Sequence, residues 1–409
     1  MALYKSAEEV LTQVTTYKSS VKKSLFASKF KNPKQLAALV METLKYKVIL
    51  EEILEQTKLL KQSKGVSHNL ALFLLYDFLI GKGIQCGGKL KKFVSSRKSM
   101  LNSAFARMKI RKKVAKNEDL IETKHPLLPK YLRVNTLTTT FKKMVVALEK
   151  DGYSQVDINE NEIELKQFSV DPDISNLLVF NPKTDLHAHQ LYKNGSLIFQ
   201  DKASCLSAFV LDPAPHTHVI DACAAPGNKT SHLAAIMNNT GKLFAVDRDR
   251  DRVKIMERQL QKANVQNCEI INSDFMKLNP TDPKFQKVEC ILVDPSCSGS
   301  GIVSRDLENQ KDTNAEVLKR LALSKFLKLK FYAWTSCRVV YSTCSIHQEE
   351  NEDVVKSALK QNPFFKLLEV MPAWTNRGIK MVNYETQKCI RCDPAVNCTN
   401  GFFVALFLH

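Results

Sequence analysis

The chain of 409 residues is 44% hydrophobic and carries a formal net charge of +18 at pH 7. Its length allows two or three domains, no run of about eighteen apolar residues predicts a membrane span, and the polar start MALYKSAE predicts no secretory signal. The positive charge predicts a polyanionic partner, and eleven cysteines in so long a chain indicate reduced intracellular thiols rather than a disulfide framework.

Residues 1 to about 122 are predicted to form a helical module. Apolar residues recur at helical spacing from Leu36 onwards, after Pro33 opens the segment. Gly81 and the glycines that follow it end this periodicity. No strand pattern interrupts the module.

A basic stretch lies at the end of this module, between Leu79 and Asn117. It contains no acidic residue, and its basic residues are Lys82, Lys89, Lys91, Lys92, Arg97, Lys98, Arg107, Lys109, Arg111, Lys112, Lys113 and Lys116. A solvated helix face usually mixes both signs of charge, so the stretch predicts a surface that binds phosphate groups. A membrane surface is disfavoured, because no large apolar face accompanies the basic residues.

Residues 123–205 are predicted to form a small α+β subdomain. Strands are expected at Tyr131–Val134, Ile163–Leu165 and Leu197–Gln200, with a helix at Phe141–Asp151. Such a mixture in so few residues favours a small open sheet. The aromatic strings that stack bases in ribonucleoprotein domains are absent, so base stacking on this sheet is not predicted.

Residues 206–409 alternate strands and helices, which predicts an α/β domain with a Rossmann-like, doubly wound sheet. The expected strands are 218–221, 243–247, 268–272, 289–294, 338–342 and 402–408. In such sheets the ligand crevice lies at the carboxyl ends of the strands.

The turn after the first of these strands, residues 221–230 (DACAAPGNKT), is built of small residues and leads into a predicted helix. Such a turn lets a ligand approach the backbone and the free N–H groups of the helix. A second strand ends at Asp247, at the distance from the turn that serves an acid binding ribose hydroxyls. The turn matches neither the dinucleotide fingerprint nor the phosphate loop. It therefore favours a nucleoside without a pyrophosphate.

Two cysteines follow two other predicted strands. Cys297 lies in residues 294–299 (DPSCSG), and Cys344 lies in residues 341–345 (YSTCS). Two thiols at strand ends, one beside an acid, suggest nucleophilic chemistry on an electrophilic ring carbon. The alternative is that both are ordinary buried cysteines, which are common in cores.

These three strings, in this order, resemble the Sun-type (Fmu-like) RNA cytosine-5 methyltransferases. Supporting strings are RVNTL at 133–137, QDKAS at 200–204 and GFFVA at 401–405, so the resemblance covers roughly residues 130–409. DPSC in place of the more common DAPC makes the chain most similar to the branch that methylates large-subunit ribosomal RNA. The resemblance implies an RNA-recognition-like subdomain before the methyltransferase domain, and a nuclear, nucleolar location.

The resemblance also implies covalent chemistry with S-adenosylmethionine as methyl donor. Cys344 would attack carbon 6 of cytosine, which makes carbon 5 nucleophilic, and Cys297 would assist breakdown of the adduct. Asp294 would hydrogen-bond the Watson–Crick edge of the base. DNA cytosine methyltransferases use the cysteine beside proline, so an exchange of the two roles is the main alternative. The target base must be single-stranded or flipped.

The resemblance implies, position by position, which residues bind the cofactor. They are Cys223, Ala224, Ala225, Pro226, Gly227, Asn228, Lys229, Asp247, Arg252, Asp274 and Asp294. Asn228 stands where many members of the family have a second glycine. For Asp274, a helix cap is an alternative to binding the adenine amino group. Lys229 could instead cap a surface helix.

Two further stretches bear on the function. Cys389, Cys392 and Cys398 resemble zinc ligands, but no fourth ligand has suitable spacing, so no metal is expected. Residues 316–337 depart from the family, because they show no clean turn before the Cys344 strand. The expected function is therefore a methyltransferase that forms 5-methylcytosine in large-subunit ribosomal RNA. The alternatives are a catalytically silent RNA-binding assembly factor and a methyltransferase for transfer RNA or DNA.

Overall fold

The computed structural model describes residues 1–16, 21–62, 65–120, 127–157, 163–303 and 337–409. Contacts divide the chain into two compact units, one that ends at Lys124 and one that begins at His125. No helix in the described ranges is long and apolar enough to cross a membrane. The unusual residues 316–336 lie outside the described residues.

The first unit is helical, as predicted, over the residues described. Its helices are α1 (Ala2–Thr16), α2 (Val21–Ala27), α3 (Pro33–Lys45), α4 (Lys47–Thr57), α5 (His68–Leu79), α6 (Gly88–Ser95) and α7 (Lys98–Arg111). α5 is buried along most of its length and packs against α1, α3, α4 and α6. The Tyr4 hydroxyl of α1 donates to the Asp77 carboxylate of α5 at 2.5 Å. Burial raises the pKa of Asp77, and the hydrogen bond from Tyr4 opposes that rise.

The second unit begins with a small sheet. Its strands are β1 (Lys130–Val134), β2 (Ser154–Gln155), β3 (Gln167–Val170), β4 (Leu177–Phe180) and β5 (Leu197–Phe199), in the order β2-β3-β4-β1-β5. The helices α8 (Phe141–Lys150) and α9 (Gln190–Lys193) connect these strands. The predicted strand at 163–165 is wrong. Glu164 and Gln167 close a turn there, because the Glu164 N–H donates to the Gln167 side chain and the Gln167 N–H to the Glu164 carbonyl.

The large sheet has the strand order β11-β13-β10-β9-β6-β7-β8, and β12 also pairs with β13. Its strands are β6 (His218–Asp221), β7 (Lys242–Asp247), β8 (Cys268–Asn272), β9 (Val288–Val293), β10 (Arg338–Thr343), β11 (Lys366–Leu368), β12 (Ile390–Cys392) and β13 (Phe402–Leu408). β6 to β10 run parallel, whereas β13 is antiparallel to β10. The predicted strands of this domain are confirmed, with ends that shift by at most one residue.

Helices connect and cover this sheet. They are α10 (Lys202–Leu211), α11 (Asn228–Ile236), α12 (Arg250–Lys262), α13 (Glu352–Gln361) and α14 (Pro394–Asn397). α11 packs against α10, α12 and β7. β6 lies between β9 and β7, so the chain order reverses at β6, and its carboxyl end is where such a sheet forms a ligand crevice.

Arg133, in the RVNTL string, joins the small sheet to the helices that cover the large one. Its side chain is fully buried, and it donates from Nε to Gln200 and from Nη2 to the Ser231 hydroxyl of α11, both at 2.8 Å. The neighbouring Asn135 donates to the carbonyl of Ala263, just after α12, at 2.9 Å. Burial lowers the pKa of Arg133 to about 10. This string therefore connects the small sheet to the helices α11 and α12, which cover the large sheet.

Candidate active site

The turn between β6 and α11 is held by Asp221, a residue that the sequence analysis did not assign to the site. One oxygen of its buried carboxylate accepts from the Thr230 hydroxyl at 2.8 Å, and the other accepts from the Cys223 N–H at 3.4 Å. Burial raises the pKa of Asp221 to about 7, against the opposing effects of Thr230 and the nearby Lys229. Asp221 thus closes the turn from within.

Gly227 ends the turn in a left-handed conformation, with φ of 106°. Residues with a side chain rarely adopt this conformation, and a Cβ atom there would also lie only 3.1 Å from the Met256 side chain of α12, so the position favours glycine. Asn228, which follows, donates from its side chain to the Phe199 carbonyl of β5 at 3.4 Å. The residue that replaces the family's second glycine therefore links the turn to the small sheet.

Asp247 lies at the carboxyl end of β7 beside this turn. It is 5% exposed, and its carboxylate accepts from the Ala225 N–H at 3.2 Å and the Asp249 N–H at 3.0 Å. Arg252 lies 3.6 Å from this carboxylate and donates to the Ala225 carbonyl. The structure thus brings the predicted acid and arginine together with the turn, in a position suited to a ligand with hydroxyl groups.

Asp274 lies after β8, the next strand of the sheet. One of its oxygens accepts from the Met276 N–H at 3.0 Å and caps a 3-10 helix at Phe275–Lys277. The capping alternative is therefore present in the structure. It occupies one oxygen and is compatible with a ligand contact at the other.

Lys229 and Asp294 form an ion pair, with Nζ 2.8 Å from Oδ2. The Ser342 hydroxyl of β10 donates to the other oxygen of Asp294 at 3.1 Å, and Lys229 also donates to the Ser204 hydroxyl at 3.0 Å. Burial opposes the charge of Lys229, but Asp294, Asp221 and Cys344 outweigh it and raise the pKa of Lys229. The lysine predicted to bind the cofactor therefore joins the cofactor turn to the acid beside the cysteines.

The two cysteines of the motifs lie side by side. The Sγ atoms of Cys297 and Cys344 are 3.0 Å apart, which is longer than a disulfide bond. Both residues are half-buried, and the Cys344 carbonyl accepts from the Gly301 N–H at 2.9 Å. Asp294, Lys229 and both thiols thus form one cluster, here called the cysteine cluster, beyond the ends of β9 and β10 and at the start of α11.

Two glycines that the sequence analysis did not single out allow this cluster to close. The Gly401 N–H donates to the Gly301 carbonyl at 2.7 Å, where the loop after β9 passes the residue before β13. A Cβ on Gly301 would lie 2.1 Å from the Gly401 carbonyl oxygen. The two backbones can approach this closely only without side chains.

Three consecutive buried polar residues were also missed, namely Glu350, Asn351 and Glu352, each 0% exposed. Glu350 accepts from Ser298, Asn351 bonds to the residues that flank Cys344, and Glu352 pairs with Arg391 at 2.6 Å. Acidic residues before a helix usually serve its exposed first turn, so nothing in the sequence pattern distinguishes this buried set.

Cys389 and Cys392 are buried, and burial raises the pKa of both thiols, whereas Cys398 is exposed. In the described ranges no group of three or more His, Cys, Asp or Glu residues is arranged to hold a metal ion. None of the eleven cysteines is in a disulfide.

Comparison with known families supports the motif-based resemblance. The model of 16S rRNA methyltransferase RsmB/F matches residues 208–408. The models of the N-terminal and ferredoxin-like domains of NOL1/NOP2/Sun domain family member 5 match residues 34–121 and 128–200.

Among curated proteins, a 28S rRNA (cytosine-C(5))-methyltransferase of Mus musculus is 40% identical, over 100% of this chain and 91% of its own length. The 25S rRNA (cytosine-C(5))-methyltransferase rcm1 of Schizosaccharomyces pombe is 38% identical, over 100% of this chain and 92% of its own. Among solved structures, PH0851 has a TM-score of 0.67 at 20% identity, over 99% of this chain and 98% of its own. The structure of NSun6 from Pyrococcus horikoshii with SFG has a TM-score of 0.55 at 21% identity, over 82% of this chain and 97% of its own. The two structures support the fold.

Replacing Asp247 with alanine is expected to weaken binding of S-adenosylmethionine about ten- to a hundred-fold. The bound ligand would lose the charge-assisted hydrogen bonds from two of its hydroxyls to the carboxylate, and the Ala225 N–H of the turn would lose its acceptor. Calorimetry measures this affinity, and Asp251→Ala, at an exposed acid nearby, should leave it unchanged. Equal affinity of Asp247→Ala and the parent protein would contradict the assignment.

Asp221→Asn is expected to change how stability depends on pH. The folded protein holds the Asp221 proton up to about pH 7, whereas the unfolded chain releases it near the ordinary value of 3.8. Raising the pH between these values therefore favours unfolding of the parent protein, by about 1 kcal/mol per pH unit relative to the variant. Denaturant unfolding at pH 4.5, 6 and 7.5 measures this difference. If the free energy of unfolding depends on pH in the same way in both proteins, Asp221 does not have the raised pKa.

Proposed function

We propose that this chain, which belongs to the RsmB/F family of rRNA methyltransferases and to its NSUN5 branch, methylates carbon 5 of a cytosine in large-subunit ribosomal RNA with S-adenosylmethionine. The observation that carries the proposal is the cluster of Cys297, Cys344, Asp294 and Lys229. A protein that only binds RNA has no need of two thiols in contact beside an ion pair.

The cofactor turn fits S-adenosylmethionine. It presents the N-terminus of α11 and the acids Asp247 and Asp274 at the ends of adjacent strands, an arrangement suited to ribose and adenine. We propose that residues 223–229, Asp247, Arg252, Asp274 and Asp294 hold it. When bound, this group supplies an electrophilic methyl sulfonium, which the protein's side chains do not contain.

In the proposed mechanism Cys344 attacks carbon 6 of a flipped cytosine. We assign to Asp294 the hydrogen bonds to the Watson–Crick edge of the base, and Lys229 and Ser342 fix the orientation of its carboxyl group. Lys229 also places positive charge near Cys344, which favours the thiolate. The attack converts carbon 5 into a nucleophile.

Release of the product requires a base on a defined face of the ring. If sulfur and methyl add to opposite faces, the hydrogen on carbon 5 lies on the same face as sulfur. Cys297 approaches Cys344 to 3.0 Å, so it can reach that face. We therefore assign removal of this hydrogen to Cys297, after which the bond between Cys344 and carbon 6 breaks.

The basic stretch supports RNA binding by the first unit. Most of its lysines and arginines are exposed, among them Lys91, Lys98, Arg107 and Lys113. Arg111 pairs with Glu52, and Lys109 donates to Asn117. We propose that the exposed members bind phosphate groups of the substrate, that residues 1–122, 123–205 and 206–409 act as three domains, and that the enzyme works in the nucleolus.

The two cysteine variants should behave oppositely. Cys344→Ala cannot form the bond to carbon 6, so it should be inactive and leave no covalent complex. Cys297→Ala should methylate once and then stall, because loss of the carbon 5 hydrogen is impaired, so it should trap RNA. Denaturing electrophoresis with labelled RNA distinguishes the two. If Cys344→Ala is the variant that traps RNA, Cys297 is the nucleophile and Cys344 assists release of the product. If neither variant traps RNA and the parent protein does not methylate, the chain is an RNA-binding factor.

The double charge reversal Arg107→Glu with Lys113→Glu should weaken RNA binding for all sequences alike. Each lost phosphate contact should also flatten the dependence of log affinity on log salt by about one unit of slope. Titrations at several salt concentrations measure both quantities. The matched double variant Lys31→Glu with Lys34→Glu makes the same charge change at exposed positions outside the stretch. If both double variants weaken RNA binding equally, the basic stretch acts only through the net charge of the protein and is not a specific RNA-binding surface.

A further inference from the structure

The loop that carries Cys297 is bound by Glu350. The Ser298 N–H donates to the two carboxylate oxygens of Glu350 at 3.1 and 3.3 Å, and the Ser298 hydroxyl donates at 2.5 Å. Ser298 directly follows Cys297, so these bonds fix the backbone next to the thiol. Glu350 is 0% exposed, and hydrogen bonds to a buried carboxylate are strong and directional.

The loop that carries Cys344 is bound by the next residue, Asn351. Its side-chain oxygen accepts from the Thr343 hydroxyl at 2.5 Å, and its side-chain nitrogen donates to the Ser345 carbonyl at 2.8 Å. Thr343 and Ser345 flank Cys344 on both sides. Asn351 is also 0% exposed. Its two bonds therefore fix the backbone on either side of the second thiol.

Two adjacent residues thus hold the two cysteine loops, one loop each. Consecutive Cα atoms are about 3.8 Å apart in any trans peptide, so both loops are bound to one short stretch of backbone. The Ser298 hydroxyl also forms a hydrogen bond with the Ser345 hydroxyl at 3.3 Å, which joins the two cysteine loops directly. The thiols carried by the two loops lie 3.0 Å apart.

We propose that Glu350 and Asn351 are positioning residues with separate effects, Glu350 on release of the product through Cys297 and Asn351 on attack through Cys344. This inference rests on the covalent mechanism proposed above. A displacement of about 1 Å at a reacting group can cost about a hundred-fold in rate. Loss of either contact should therefore impair one chemical step more than the other.

The test measures turnover and covalent complex for Glu350→Gln and Asn351→Ala with labelled RNA. Glu350→Gln keeps the shape of the side chain but loses its charge and one acceptor for Ser298. It should lower turnover about ten- to a hundred-fold and raise the fraction of RNA in the denaturation-resistant complex about ten-fold over the parent protein. Asn351→Ala should lower turnover to a similar extent without raising that fraction. Affinity for S-adenosylmethionine should stay within about two-fold in both.

Glu349→Gln is the matched control, because this neighbouring acid is only half-buried, and it should behave like the parent protein. Ser298→Ala removes the hydroxyl donor and leaves the backbone donor, so it should show a weaker form of the Glu350→Gln effect. Thermal unfolding shows whether Glu350→Gln folds. If it does not fold, Ser298→Ala replaces it as the test variant.

Equal loss of attack and release in both variants, or a Glu350→Gln variant with the complex fraction of the parent protein, would overturn the proposal and leave a purely structural role. Failure of the covalent mechanism is distinguishable from this outcome, because Cys297→Ala would then trap no RNA.

Discussion

The ion pair of Lys229 and Asp294 is the interaction on which the cysteine cluster depends. It joins the first residues of α11, which belong to the cofactor turn, to the residue that follows β9. Both groups are largely removed from solvent, so their attraction is screened less than that of a surface pair. Ser342 occupies the second oxygen of Asp294, which leaves the carboxylate with one orientation. One contact between the start of α11 and the end of β9 thereby joins the cofactor turn to the cysteine cluster.

Six of the eight strands of the large sheet were predictable because they are apolar runs, whereas β11 and β12, with three residues each, were not predicted. The strand expected at 163–165 failed, since side-chain bonding between Glu164 and Gln167 closes a turn that no apolar periodicity reveals. The approach of Gly301 to Gly401 was beyond prediction for another reason. It depends on the pairing of β10 with β13, and that register is a property of the folded sheet.

Motifs identified most residues of the candidate site, but not their contacts. Lys229 was expected among the cofactor ligands, and the motifs did not reveal its ion pair with Asp294, the acid of the cysteine cluster. Arg133 marked the resemblance and proves to be a buried connector between the small sheet and α11. Glu350 and Asn351 were missed because acidic residues and asparagine before α13 match the usual composition of an exposed helix start. Only burial distinguishes them, and burial is set by tertiary packing.

The position of the two thiols follows from the topology of the sheet. β9 and β10 are parallel neighbours, with Val293 paired to Tyr341, so the loops that follow them leave the same edge. Neighbouring strands lie about 4.8 Å apart, which brings side chains of the two loops within reach of each other. A reaction that needs a nucleophile and a base on the same face of a planar ring matches this arrangement. One cysteine in the loop after each of two adjacent parallel strands suits that need, and Glu350 with Asn351 holds the two loops.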